Sequence, residues 1–363
     1  MLPEQTDDNA ICRVDKLKAW LSSKRAGAFL ITNLTNIKYL TGFTGSSGYL
    51  LAAGGKAYFF TDFRYKEQSV AETRSCDIMI TKKDAIKFII NFLEKKKIKN
   101  LSFEDTISYR TYAQFKQRFQ LRALRDTVEN IRIKKDAEEL RHIKIAVQRA
   151  ESALEEIKPR IKAGVTEKAI ASMLGESLKA QGVEKIPFDI IVAAGRHSSM
   201  PHARPTEKVL EKGDLLIIDW GGESGGYYSD MTRTFLIGGG NDLGKKKEIY
   251  DIVLKANKRA RDSITKGQSA ADVDSAARTL IAAAGFGRYF GHSTGHGIGM
   301  EVHEQPYISA VNKKQKIEEN MVFTIEPGIY IPDIGGVRIE DMVCVTGQSA
   351  ETITNLTRNL EIL

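Results

Sequence analysis

Two stretches of this 363-residue chain follow the same order of elements, one starting near residue 131 and the other near 245. Each opens with a long amphipathic pattern, continues with a second helix capped by a hydroxyl residue, and closes with apolar, strand-like runs. The caps are Thr166 and Ser269. KAGVTEKAI (162–170) and TKGQSAADV (265–273) occupy matching places, and so do DLLIIDWG and NMVFTIEPG. The offset, a little over a hundred residues throughout, carries Asp219 onto Glu326 and Asp230 onto Glu340. Such a repeat leaves few folds open. Two copies of a helix–helix–strand unit, related by a pseudo-two-fold, would each bring a carboxylate pair to a shared midline.

The first copy shows the pattern clearly: Leu140, Ile143, Val147, Ala150, Leu154 and Ile157 form one helical stripe. Residues 12 to about 125 read differently, as alternating helix and strand. Helical spacing covers 14–22, 84–96 and 108–119. AFLIT (28–32), GYLLAA (48–53) and AYFFTD (57–62) suit strands, the last two joined by Gly54-Gly55. The expectation is an α/β N-terminal domain over 1–130, then an α+β domain over 131–363 that contains the repeat.

An apolar content of 42% and a charged content of 28% suit a soluble globular chain. No run approaches the ~18 apolar residues of a membrane span, and the polar N-terminus has no apolar signal region. Cys12, Cys76 and Cys344 are dispersed, with neither metal-ligand spacing nor a disulfide framework. A cytoplasmic location without a membrane partner follows as the expectation. The net charge of +8 raises nucleic acid as a partner. The runs Lys95-Lys96-Lys97 and Lys245-Lys246-Lys247 have no aromatic residues interleaved, so they read as solvated surface and no nucleic-acid partner is expected.

The chemistry lies in the repeat. Asp219, Asp230, His296, Glu326 and Glu340 are four carboxylates and an imidazole, a set whose charge two divalent cations and a bridging hydroxide would balance. Taken singly, Asp219 and Asp230 also read as aspartates beside glycine turns. Glu340, read as lying inside a half-buried strand, also reads as the partner of Arg338 on the same face. Three of the six histidines, His292, His296 and His303, crowd into one glycine-rich segment, where imidazole serves as ligand, donor or substrate contact. His202, in SMPHARPT, has the weakest local context.

Taken together, RIKKDAEEL, PHARPT, IDWGG, SDMTRTF, FGHSTGHGIGMEVHE, TIEPGIYIP and GGVRIED, with YLTGFTGSSG and TDFRY, carry a resemblance. The chain resembles the Xaa-Pro aminopeptidase/prolidase family of dinuclear metallopeptidases with the pita-bread (creatinase-like) fold. That resemblance implies that Asp219 holds one metal, that Asp230 and Glu340 bridge both, and that His296 and Glu326 hold the other. It implies Mn²⁺ first, with Co²⁺ or Zn²⁺ as alternatives. Glu326 is implied as the general base, His303 as the stabiliser of the tetrahedral intermediate, and His202 as a substrate contact. His292 would flank the proline-ring pocket, and Arg338 would orient a carboxylate. The implied reaction is hydrolysis of the bond between an N-terminal residue and a following proline, by a hydroxide bridging two metals. The implied partners are proline-containing peptides and a second copy in a dimer. Strict dipeptidases of the family often carry an arginine before the TIEPG strand, where this chain has Val311-Asn312-Lys313-Lys314. The main expectation is therefore an Xaa-Pro aminopeptidase. The alternatives are an Xaa-Pro dipeptidase and a non-catalytic binding protein on the same fold.

Overall fold

The computed structural model describes residues 8–24, 27–239 and 243–363. It divides into two units, one ending at Arg132 and the other spanning Ile133–Leu363. Cys76 and Cys344 are free thiols; the side chain of Cys12 and most of the polar N-terminus lie outside the described residues.

The first unit runs α1 (Asp8–Ser23), β1 (Ala28–Ile31), α2 (Leu34–Thr41), β2 (Tyr49–Ala53), β3 (Lys56–Asp62), α3 (Lys66–Glu72), β4 (Asp77–Thr81), α4 (Ala85–Lys95), β5 (Asn100–Glu104), α5 (Tyr109–Lys116), β6 (Gln120–Leu124) and α6 (Glu129–Arg132). Its six strands form one mixed sheet in the order β4-β3-β2-β1-β5-β6. All four residues of β1 are buried, which is why AFLI is continuously apolar instead of alternating. β2 and β3 turn through Gly54 and Gly55, at φ +58° and +76°, a conformation that favours glycine. The apolar pattern picks out β1, β2 and β3 but not β5, whose largely buried run NLSFE is interrupted by Ser102 and Glu104, nor β4 and β6. The last two are edge strands with mostly half-buried or exposed residues, so their sequences lack the apolar signature.

The second unit begins with α7 (Ala137–Ile157), α8 (Glu167–Ala180), β7 (Ile191–Ala194), β8 (Leu215–Trp220), the short pair β9 (Glu223–Ser224) and β10 (Tyr227–Tyr228), and β11 (Met231–Leu236). It continues with α9 (Gly244–Ser263), α10 (Ala270–Ala283), β12 (Gly295–Gly297), β13 (Glu304–Ile308), β14 (Val322–Ile325), β15 (Gly328–Ile331), β16 (Gly335–Arg338), β17 (Asp341–Thr346) and β18 (Ser349–Thr352). Reciprocal side-chain and backbone bonds between Asp136 and Glu139 start α7, and the same box between Ser269 and Asp272 starts α10. Thr166 caps α8 by accepting from the Ala169 amide.

The topology appears twice. In the first half β8 lies antiparallel between β7 and β11; in the second, β14 lies antiparallel between β12 and β17. A bridge from each second-helix cap, Thr166 to Val209 and Ser269 to Lys316, repeats as well. Where the sheets meet, the Glu340 amide donates to Thr232 O at 3.1 Å. The offset that carries Asp230 onto Glu340 carries Thr232 onto Met342, and there the Asp230 amide donates to Met342 Sδ at 3.3 Å. The residue pairing recurs, with a backbone oxygen as acceptor in one case and a thioether sulfur in the other, as an approximate two-fold relation allows. The stripe of α7 is buried from Ile143 to Ile157, and the Trp220 indole donates to Ala150 O at 2.8 Å, pinning the end of β8 beneath that helix. Among the described residues no helix is long and apolar enough to cross a membrane.

Candidate metal centre

Every candidate ligand sits at or beside a strand end on the midline. Asp219 is the last residue but one of β8, and Asp230 immediately precedes β11. The antiparallel register pairs Trp220 with Met231, so the two aspartates emerge side by side across the β9–β10 excursion. His296 is the middle residue of β12, and Glu326 follows β14. Glu340 occupies a break between β16 and β17, not the interior of one strand as its apolar neighbours suggested.

These side chains converge. Ligand atoms of Asp219, Asp230 and Glu340 lie within 4.8 Å of one another, and so do those of His296, Glu326 and Glu340 and those of Asp230, His296 and His303. Asp230, His296 and Glu340 each belong to two of these groups, which puts them at the centre of the cluster. His296 Nε2 is 3.3 Å from Glu326 Oε1 and 3.6 Å from Asp230 Oδ2. The His296 Nδ1–H donates to Gly297 O at 3.1 Å, which turns the Nε2 lone pair towards the acids.

Burial pushes the Asp230 carboxyl well above the ordinary range, and the charges of Asp219 and Glu326 push it further. Burial likewise raises Glu340 well above that range, reinforced by Asp230, Glu326 and Asp219. It also raises Glu326, although His292 and Arg338 oppose it. Like charges this close cannot all ionise without a compensating cation. One atom shows the need directly: Asp219 Oδ1 is buried with no hydrogen-bond partner. Its other oxygen, Oδ2, accepts from Arg338 Nη2 at 2.5 Å. An orphaned carboxylate oxygen, oxygen-rich neighbours and one correctly presented imidazole together fit divalent cations.

Arg338 does not pair with Glu340. Besides Asp219 it donates to Thr232 Oγ1 at 3.0 Å, Tyr330 Oη at 2.8 Å and Pro201 O at 3.2 Å. Glu340 accepts from Thr232 Oγ1 at 2.8 Å instead. The strand break after Arg338 is the reason, because it removes the two residues from a common face. Burial pushes the Tyr330 phenol up to about 12, so it remains an O–H. Tyr330 Oη lies 3.0 Å from His292 Nε2, while His292 Nδ1 donates to Ser293 O at 2.8 Å.

All five acid and imidazole residues line a cavity of about 400 Å³, together with His202, His292, His303 and Arg338. Phe188, Ile190, Ile191 and Tyr307 give it an apolar wall. Burial lowers the basicity of His292, His296 and His303, which favours neutral imidazoles. Asn312 is not part of the lining; its Nδ2 donates to Tyr307 O at 2.7 Å and braces a turn. The specificity argument from that position loses its premise, because the wall has a second guanidinium, Arg204 of PHARPT, 3.6 Å from Asp189. Tyr330, Thr232 and Arg204 were not singled out from the sequence. For Thr232 a signal existed: it lies two residues from Asp230 along a strand, hence on the same side. Thr324, two residues before Glu326, follows the same rule and donates to Glu326 Oε1 at 3.2 Å.

Comparison with known proteins agrees with this geometry. Residues 141–347 match Metallopeptidase family M24, and residues 13–143 match the Creatinase/Prolidase N-terminal domain. An Xaa-Pro dipeptidase of Pyrococcus furiosus is 36% identical, over 96% of this chain and 99% of its own. An Xaa-Pro dipeptidase structure from Bacillus anthracis is 38% identical with a TM-score of 0.94, covering 98% of this chain and 100% of that one. An X-Pro aminopeptidase structure from Thermotoga maritima is 36% identical with a TM-score of 0.86, covering 96% and 99%. With its repeated helix–helix–strand halves around an acid-rich midline, the chain belongs to metallopeptidase family M24 and has the pita-bread fold.

Proposed function

We propose that this peptidase hydrolyses Xaa-Pro dipeptides, using two divalent cations held by Asp219, Asp230, His296, Glu326 and Glu340. The observation that carries the reading is the convergence of these five residues on one cavity, with Asp219 Oδ1 left unsatisfied. Dipeptides replace the longer peptides of the sequence-based expectation for two reasons. Two of the three relatives described above are Xaa-Pro dipeptidases, and Arg204 gives the wall a cation suited to a free carboxylate.

Asp219 would hold one cation, His296 and Glu326 the other, and Asp230 and Glu340 both. When bound, such ions polarise a carbonyl and make hydroxide available near neutral pH. Glu326, with its raised carboxyl pKa, accepts a proton and delivers it to the departing prolyl nitrogen, which has no N–H of its own. His303 donates to the oxyanion as it develops. His202 contacts the substrate, and His292, held by Tyr330, flanks the proline ring. Arg338 fixes the orientation of Asp219. The oxygen-rich set favours Mn²⁺, with Co²⁺ or Zn²⁺ as substitutes. We also assign the chain to the cytoplasm and to a dimer, with residues 1–130 and 131–363 as its two domains.

The test is release of glycine from Gly-Pro and from Gly-Pro-Gly-Gly by metal-stripped enzyme, with and without Mn²⁺, Co²⁺ or Zn²⁺. Metal-dependent cleavage of the dipeptide, with the longer peptide a poor substrate, supports the proposal. Equal or faster cleavage of Gly-Pro-Gly-Gly restores the aminopeptidase reading. No cleavage of either substrate with any of the three metals overturns both.

A further inference from the structure

Each half of the repeat carries, on its second helix, a fully buried carboxylate that does not line the cavity. In the first half it is Glu167, the first residue of α8; in the second it is Asp274 of α10. Glu167 accepts from the Ala194 amide at 2.8 Å, the Thr206 amide at 2.9 Å and Thr206 Oγ1 at 2.7 Å, and it lies 2.8 Å from His197 Nδ1. Ala194 ends β7, and Thr206 lies past the loop that follows. One side chain therefore joins both stems of the 195–205 loop. That loop carries His202 into the cavity.

Asp274 does the equivalent on the other side. It accepts from the Thr294 amide at 3.2 Å and Thr294 Oγ1 at 2.8 Å, just before β12. It also accepts from Arg278 Nε at 2.7 Å and Nη2 at 2.8 Å. Arg278 in turn donates to Phe290 O at 3.1 Å and His292 O at 2.7 Å. The segment that presents His292 is thus gripped by its own backbone.

Burying a carboxylate is costly unless its bonds are satisfied, and here the donors that satisfy it come largely from the loop stems themselves. What the carboxylates add is several directed bonds to loop stems, which limit the drift of the histidines those stems carry. A misplacement of about 1 Å costs up to about a hundredfold in rate. We propose that Glu167 and Asp274 are positioning residues for the reaction, setting His202 and His292 respectively against the substrate. The proposal rests on the reading that these two histidines contact substrate.

Double-mutant cycles test it. Glu167→Gln, His202→Ala and the double variant are compared for kcat and KM on Gly-Pro, alongside metal content, and so are Asp274→Asn, His292→Ala and their double variant. The expected result is a loss of roughly tenfold to a hundredfold in kcat/KM for Glu167→Gln at unchanged metal content. That loss should shrink to less than about twofold in the His202→Ala background. Asp274→Asn should lose its effect in the His292→Ala background, while Glu167→Gln combined with His292→Ala stays additive. Equal losses with and without the cognate histidine would overturn the proposal and leave the carboxylates purely architectural. If His202→Ala or His292→Ala alone changes neither constant, that histidine is no substrate contact, and the positioning role of its carboxylate falls with it. Should Glu167→Gln fail to fold, Thr206→Val removes one donor from the same carboxylate and completes the same cycle.

Discussion

Replacing Asp341 by asparagine keeps its shape and removes the charge of a fully buried carboxylate beside Glu340. Asp341 Oδ1 accepts from Arg233 Nη2 at 2.9 Å and Thr354 Oγ1 at 2.8 Å. Its Oδ2 accepts from Arg358 Nε at 2.7 Å and lies 3.5 Å from Arg261 Nε. Burial alone pushes this carboxyl up, but Arg233, Arg358 and Arg261 outweigh it and bring the pKa down to about 2. Against an ordinary value near 4, that is roughly 2–3 kcal/mol of stability in the ionised form. The substitution costs more, about 3–5 kcal/mol, because it leaves buried guanidinium without a counter-charge. At about 2–4 °C per kcal/mol for a domain of this size, the metal-loaded protein should melt about 6–20 °C lower at pH 7. Because the folded pKa lies below the unfolded one, the contribution is present above about pH 4 and is lost as pH falls through about 2. The gap between wild type and variant therefore narrows over that window. Activity should fall as well where the variant is folded, since Arg233 also donates to Glu340 O at 2.7 Å. A melting shift below about 2 °C, the size of an ordinary surface substitution, would refute the reasoning.

Two further predictions concern the metals and their ligands. Asp230, Glu326 and Glu340 hold protons at pH values where the unfolded chain has released them. Their contribution to the stability of metal-stripped protein is therefore full below about pH 4 and is lost as the pH rises through their raised folded values. The melting gain on adding Mn²⁺ should accordingly grow between about pH 5 and 8, and a gain independent of pH would remove the electrostatic basis of the site. Glu340→Ala should abolish turnover and release metal, whereas His303→Ala should lower kcat by about 10²–10³ with metal content near normal. Metal analysis of the two variants decides this, and loss of both ions from His303→Ala would make that residue a ligand.

Much of the second unit was legible because its signals are local. The stripe Ile143–Ile157, the cap at Thr166 and the apolar run DLLIIDW each report a helix or strand through neighbours a few residues away. The edge strands β4 and β6 gave no such signal, because a half-exposed strand has no need of a continuous apolar face. In the site, the ligand types were readable, while the partner of Arg338 was not. Strand periodicity pointed to Glu340. A break between β16 and β17, invisible in the apolar pattern of VRIEDMV, turned the guanidinium to Asp219.

The sequence alone determined that there are two like halves, that each supplies a carboxylate pair, and that an imidazole accompanies them. Residue type and spacing are properties of the chain itself, and repetition at a constant offset can be read without coordinates. Only the tertiary structure decided which oxygen of Asp219 stays unsatisfied, that Asn312 braces a turn while Arg204 lines the wall, and that Glu167 and Asp274 hold the loops behind two histidines. These are relations between side chains on separate elements, fixed by the angle and depth at which sheets and helices pack. No local pattern encodes that geometry.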